Sequence, residues 1–282
     1  NVHLECTAGD AVTDVSANVL ACSECGSPVG VEYEYAPSGA LPRLPLRDID
    51  AAISLGEGDT PLVDLADTAR ELGVARLRTK LEFHAPTGSF KDRGSATLIP
   101  AARELGVTEF VEDSSGNAGA SLSAYAAAAG LKAHVFAPAS AGQGKKDQIR
   151  VFGASLHEID GPRQASTDAA VAFTRERDLP WLSHNLSPFF MEGMKSFAYE
   201  LAVGTTPPAH ILFPVGNGSL IVGAYKGFAE LLEAGRIDAI PALHCVQAAA
   251  IQPIVAAING EEWTPDTGAT SAASGISVTL PP

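Results

Sequence analysis

Basic residues are in short supply: 19 Lys and Arg stand against 33 Asp and Glu, a formal net charge of −14. Nucleic-acid binding needs clustered cations against phosphates, so the composition argues against a nucleic-acid partner. A small anionic ligand stays open, because a pocket can be locally positive on an acidic protein. No uninterrupted apolar run reaches the roughly 20 residues of a membrane span. Asn1-Val2-His3 is not the start of a signal peptide. Cysteines number four, three of them before residue 26, which is not a secreted disulfide framework. A cytoplasmic protein without membrane contact is the resulting expectation. Aromatics make up only 6% of a chain that is 46% hydrophobic. Alanine, valine and glycine therefore carry the apolar mass, as in closely packed helix-on-sheet proteins.

What is present is alternation. From about residue 76, short β-branched runs predict strands at Arg76–Glu82, Glu109–Asp113, Ala133–Ala137, Ser155–Ile159, His210–Val215 and Leu243–Gln247. Apolar residues at helical spacing fall between them, as in Ala118–Ala129 and Ile221–Leu232. Such alternation predicts an α/β chain of parallel sheets covered on both faces, with ligands at the carboxyl ends of the strands. The first 37 residues differ: they are turn-rich, carry three of the cysteines and include a strand-like Gly30–Tyr35. Pro37-Ser38-Gly39 and Pro42 to Pro45 read as a linker. The small-residue-rich end, Thr267–Pro282, reads as a chain cut short.

Three segments carry chemistry. In Pro86-Thr87-Gly88-Ser89-Phe90-Lys91-Asp92-Arg93-Gly94 a turn delivers Lys91 to the start of a helix, where a cation is disfavoured. Lowering an amine's basicity makes it a nucleophile toward aldehydes. Lys80 is the competing amine, and its strand position points to a structural role. Asp113-Ser114-Ser115-Gly116-Asn117-Ala118-Gly119-Ala120 follows a strand and opens a helix, so its amides attract an anion; the alternative is that Asn117 only caps the helix. Pro214-Val215-Gly216-Asn217-Gly218-Ser219-Leu220 is a glycine turn before a helix, suited to close approach of a phosphate. No G-x-x-x-x-G-K-[ST] string is present, which argues against a nucleotide P-loop.

The lysine segment resembles the N-P-T-G-S-F-K-D-R-G motif of threonine synthases and related fold-type II pyridoxal-phosphate enzymes, with Ala85 in place of Asn. Gly56-Glu57-Gly58-Asp59-Thr60-Pro61-Leu62, Pro188–Lys195 and Val246-Gln247-Ala248 resemble further stretches of that family, so the likeness runs from about Gly56 to the end. It implies two doubly wound parallel-sheet domains of the tryptophan synthase β-like type. Their expected bounds are 38–92 plus 186–282 for the larger, cofactor-binding domain and 93–185 for the smaller, with a ribbon-like extension over 1–37. It also implies pyridoxal 5'-phosphate joined as a Schiff base to Lys91, whose freed amine then moves protons. Asn117 would touch the cofactor ring, and Val215, Gly216, Asn217, Gly218, Ser219 and Leu220 would cradle its phosphate. Ser89, Ser114, Ser115, Gly116 and Asn185 would bind substrate, with Lys145-Lys146 as a further phosphate donor or a solvated turn.

The family continues beyond Pro282, so the partner of the pyridine nitrogen is expected outside this chain. Several relatives also begin with a C-x-x-C-G ribbon. Cys22, Cys25 and Gly26 match its second half, which implies a structural zinc on His3, Cys6, Cys22 and Cys25, or else a degenerate ribbon without metal. Cys245 reads as a buried apolar residue. The implied reaction is that of threonine synthase, converting the small anionic amino acid O-phosphohomoserine and water to threonine and phosphate. A threonine or serine dehydratase, a cysteate synthase-like enzyme and a catalytically inactive binding protein are the alternatives. Relatives are commonly homodimers.

Overall fold

Alternating apolar residues set the first sheet. Strands β1 (Val2–Cys6), β2 (Val12–Thr13) and β3 (Val29–Tyr33) form an antiparallel ribbon in the order β2-β1-β3. Leu4, Cys6, Val29 and Val31 share its buried face. The computed structural model describes residues 2–33, 41, 43–48, 52–114, 116–204, 206–266, 268–269 and 271–281. Tyr35, Pro37-Ser38-Gly39 and Pro42 lie outside these residues, and with them most of the expected linker.

The expected strand Arg76–Glu82 is shorter and differently placed. β4 (Leu62–Asp64), α1 (Ala66–Leu72) and β5 (Arg78–Lys80) make a small antiparallel unit, and Glu82–His84 is a 3-10 turn. Gly73 at φ 67° turns the chain back after α1, so β5 returns against β4 rather than joining a parallel sheet.

The parallel sheets follow. α2 (Lys91–Glu104) leads to β6 (Glu109–Glu112), α3 (Asn117–Ala129), β7 (Lys132–Pro138), α4 (Gln143–Val151), β8 (Ser155–Ile159) and α5 (Arg163–Arg177). β6-β7-β8 are parallel neighbours in that order. Val111 and Phe136 pack beneath Ala170 and Phe173 of α5, while Val135 on the other face meets Ala120 and Ile149 of α3 and α4. Helices thus cover both faces, as the period-2 pattern requires. A short run beside β6 extends this sheet: Val111 N–H donates to Pro180 O at 2.9 Å, and Leu182 N–H to Val111 O at 3.0 Å.

Next come α6 (Pro188–Met194), α7 (Ser196–Ala202), β9 (His210–Pro214), α8 (Ser219–Glu233), β10 (Ala242–Val246) and α9 (Pro253–Asn259). β9 and β10 form a second parallel pair, with Ile211 and Phe213 turned into the core and Leu212 exposed. Cys245 on β10 is half-buried, less than expected: it shares the inward phase of the strand with Leu243, which is itself only half-buried. No helix among the described residues is long and apolar enough to cross a membrane.

One apolar cluster joins the ribbon (Leu4, Cys22, Val31) to α2 and α3 (Leu98, Leu122, Tyr125) and to α6 and α8 (Phe189, Phe228). Buried charges cross the same junction. Lys195 pairs with Glu192 and Glu230, Lys226 pairs with Glu192, and Tyr33 Oη of the ribbon donates to Glu192 Oε2.

Packing of α2 on α6 leaves no spare volume at Gly193, where an added Cβ would sit 2.0 Å from Arg93 O. Gly193→Ala is expected to cost about 1–3 kcal/mol by overpacking, read as a lower urea midpoint. Gly142→Ala, with nothing within 4 Å of the new methyl, should remain close to wild type.

Candidate active site

The turn before α2 is closed by side chains of its own motif. Thr87 N–H and Thr87 Oγ1 donate to the two oxygens of Asp92 at 2.7 and 2.6 Å. Arg93, with a fully buried side chain, donates to Glu82 at 2.7 Å, to Ser196 Oγ at 2.9 Å and to Thr60 Oγ1 at 3.1 Å, and also pairs with Glu200. Lys80 pairs with Glu200 at 2.6 Å and donates to Thr60 O, which is the structural role expected of it. Held from both sides, Lys91 begins the helix.

The Lys91 residue is half-buried, but its amine is walled by rings. Nζ lies 4.8 Å from the Phe90 ring centre and 5.6 Å from that of Phe190. Gly94 makes room for the second ring, since a Cβ there would stand 2.6 Å from it. Desolvation pulls the amine down to about 8 from its ordinary value near 10.5, with the Glu112 carboxylate opposing. Nζ also stands 3.4 Å from Ser219 Oγ, as donor, at the first turn of α8.

That turn follows β9. Gly218, at φ 89°, adopts a left-handed conformation, and the Gly216 Cα faces the 275–278 segment, where a Cβ would meet Val278 at 3.2 Å. Asn217 Nδ2 donates to Asn185 Oδ1 at 2.6 Å, joining two residues singled out separately in the sequence. Behind the loop, Val215 N–H donates to Val246 O at 2.9 Å, Gln247 Nε2 donates to Val215 O at 3.1 Å, and Gln247 Oε1 accepts from Ile254 and Val255 at the start of α9. Gln247 therefore fixes the loop from behind.

At the second helix start, Gly116 occupies the cap position without a side-chain cap bond, and Asn117 is the first helical residue. Asn117 is thus no cap, and the capping alternative falls. Ser114 Oγ accepts from Gly116 N–H at 3.4 Å, and Ser89 Oγ accepts from Lys91 N–H at 3.4 Å. Ser115 lies outside the described residues. Of the lysine pair, Lys146 is buried on Glu158 and Ala139 O, while Lys145 is half-buried and bonded to Gln148, whose amide donates to Thr87 O at 3.0 Å.

Glu112 and His184 were missed in the sequence. Glu112 is fully buried, and His184 Nδ1 lies 2.6 Å from its Oε1. The strand Glu109-Phe110-Val111-Glu112 carries a carboxylate at each end, so its sequence did not single out Glu112 as the buried one. Phe90 and Phe190, the rings beside the amine, lie within the two stretches that resemble the family, but nothing in the sequence brought them together.

The ribbon gathers three thiols. The Sγ atoms of Cys6, Cys22 and Cys25 all lie within 4.8 Å of one another, and His3 is not among them. Three residues apart on β1, His3 and Cys6 point to opposite faces, and His3 Nε2 lies 3.8 Å from Glu5. The expected four-ligand set is corrected to three, one short of a closed tetrahedral zinc site.

A desolvated amine aimed at a glycine turn and a helix amino end suits an aldehyde that carries a phosphate, the two reactive features of pyridoxal phosphate. A family model described as "Pyridoxal-phosphate dependent enzyme" matches residues 53–282. The chain belongs to this family. It is 34% identical over 264 residues to a threonine synthase of Methanocaldococcus jannaschii, covering 86% of this chain and 65% of that protein. A threonine synthase of Methanosarcina acetivorans is 32% identical over 294 residues, covering 95% of this chain and 72% of its own length. The chain thus spans about two thirds of these relatives. Among solved structures, threonine deaminase isoform 2 from Solanum lycopersicum superposes with a TM-score of 0.69 at 20% identity, over 82% of this chain and 61% of that one. Maize serine racemase gives 0.69 at 20% identity, over 78% and 65%. These likenesses establish the fold, that of the tryptophan synthase β-like, fold-type II enzymes.

Replacing Gly218 by Ala forces a side chain into the left-handed region at about 1–2 kcal/mol. Roughly tenfold weaker pyridoxal-phosphate binding is expected, measured by absorbance titration.

Proposed function

We propose that this chain carries the reacting centre of a pyridoxal-phosphate lyase of the threonine synthase type, which converts O-phosphohomoserine and water to threonine and phosphate. The observation that carries the reading is the Lys91 amine, desolvated and directed at Ser219 on the amino end of α8. Relatives at 32–34% identity named threonine synthase support the substrate. In this reading the main-chain amides of Gly216–Leu220 hold the cofactor phosphate, and Asn117 meets its ring. When bound, pyridoxal phosphate supplies an electron sink for charge developing on the substrate. Lys91 Nζ takes the proton from the α-carbon and returns protons farther along the chain, so one amine serves several transfers. Ser114, Ser115 and Gly116 receive the substrate carboxylate at the α3 amino end. Ser89, Asn185 and Lys145 face its phosphate. We place the cleft between a unit of residues 38–92 with 186–282 and a unit of 93–185, and expect a homodimer.

A second reading, threonine or serine dehydratase, is favoured by the apolar rings beside the amine. Phe90 and Phe190 flank it, while Arg163 is engaged by Asp113 and Lys145 by Gln148. A substrate without phosphate fits such surroundings.

Phosphate release from O-phosphohomoserine decides between them. The expected result is stoichiometric threonine and phosphate, with Lys91→Ala slower by roughly 10²–10⁴-fold. Ammonia from threonine without phosphate release would transfer the assignment to the second reading.

A further inference from the structure

Away from Lys91, the ribbon holds three thiols that no step of the lyase reaction uses. Cys6 ends β1 opposite Val29 of β3, and its sulfur accepts from Ala8 N–H at 3.4 Å. Cys6 N–H donates to Ala11 O at 2.9 Å, and Thr7 N–H donates to Pro28 O at 3.0 Å, which ties this turn to the next. There Cys22 N–H donates to Ser27 O at 2.8 Å and Gly26 N–H to Cys22 O at 2.9 Å, with Gly26 left-handed at φ 75°. Cys6 and Cys25 are 19 positions apart in sequence, yet their sulfurs stand 3.5 Å from each other, in contact. The Cys22 sulfur lies within 4.8 Å of both.

Three sulfurs without His3 do not complete a tetrahedral zinc site. Their unequal burial suits another chemistry. Cys6 and Cys22 each keep 6% of their surface and belong to the main apolar cluster, whereas Cys25 is exposed. An exposed thiol touching a buried one is the arrangement of an attacking and a resolving cysteine. The first meets the oxidant, and the second is already within reach of it.

We propose that Cys25 and Cys6 form a reversible oxidation site, at which a hydroperoxide converts the two thiols to a disulfide between β1 and the 22–26 turn. In the first step the Cys25 sulfur attacks the O–O bond of the hydroperoxide. An S–O bond forms, the O–O bond breaks, and the leaving oxygen departs with the thiol proton as water or an alcohol. Cys25 then carries a sulfenic acid. In the second step the Cys6 sulfur attacks that of Cys25, an S–S bond forms, and hydroxide leaves with the Cys6 proton as water. The two sulfurs together lose two electrons, and the O–O bond gains them. Cys22 stays a thiol. Because one end of the new bond is exposed, a small dithiol attacks it at Cys25 and returns both thiols. While it lasts, the cross-link closes a loop of the ribbon and so constrains its unfolded chain.

The test uses the full chain as purified, with its metal content measured first. After stoichiometric hydrogen peroxide, free thiols are alkylated and peptides are mapped by mass spectrometry. The Cys6 and Cys25 peptides are expected joined and lighter by two hydrogens, with Cys22 and Cys245 alkylated, and dithiothreitol is expected to restore both thiols. Cys25 is expected to react about tenfold or more faster than the half-buried Cys245. In Cys6→Ser the sulfenic acid has no resolving partner, and its dimedone adduct is expected at Cys25. If that variant does not fold, Cys22→Ser and the wild-type map decide, since the Cys6–Cys25 link is expected in both. Unlinked Cys6 and Cys25 after peroxide, a Cys22–Cys25 link in their place, or no adduct at Cys25 in folded Cys6→Ser overturns the proposal. So does one zinc per chain that shields the thiols until it is chelated. None of these measurements involves Lys91 or O-phosphohomoserine, so failure of the lyase assignment would leave them readable.

Discussion

Removing water from one amine is the requirement around which the rest is arranged. Nothing in a flexible, four-carbon side chain keeps its end among aromatic rings, so the backbone that carries it must be fixed. Thr87 and Asp92 close the turn on one side, and the Arg93 guanidinium ties the helix to Glu82, Thr60 and Glu200 on the other. The contiguous run from Pro86 to Gly94 is therefore a single mechanical unit in which only one residue reacts. An arginine so completely buried is tolerable because every direction of its fork meets an acceptor.

The two glycine-bearing turns solve a different problem. Each lies where a parallel strand gives way to a helix, so main-chain amides and the helix dipole converge at strand ends without any cation being supplied. That arrangement suits an acidic chain, in which fixed dipoles stand in for basic side chains. Asn185 and Gln247 each hold the second turn, one through the Asn217 side chain and the other through the Val215 carbonyl.

Much of this was legible in the residues. Ser155–Ile159 was read with its observed bounds, and the other strands of the parallel sheets came within a residue or so, because period-2 burial and turn residues speak plainly there. Arg76–Glu82 does hold a strand, Arg78–Lys80, but its antiparallel pairing with Leu62–Asp64 across the left-handed Gly73 was not foreseen. The position of Lys91 was evident from its motif. The Glu112–His184 pair was not, since the two lie 72 residues apart and meet only through the edge run at 180–182. The proposed histidine ligand failed on simple parity, which a pattern of cysteines does not reveal.

The amino-terminal ribbon shares charge as well as apolar surface with the body. Tyr33 reaches Glu192, and Lys226 donates to Val31 O, within a set of ions that also holds Lys195 and Glu230. Stripping the ribbon away would remove the Tyr33 hydroxyl from Glu192 and the Val31 carbonyl from Lys226. The segment behaves less like an appendage than like a keystone, and shortening the polypeptide there would yield a different molecule rather than a smaller one.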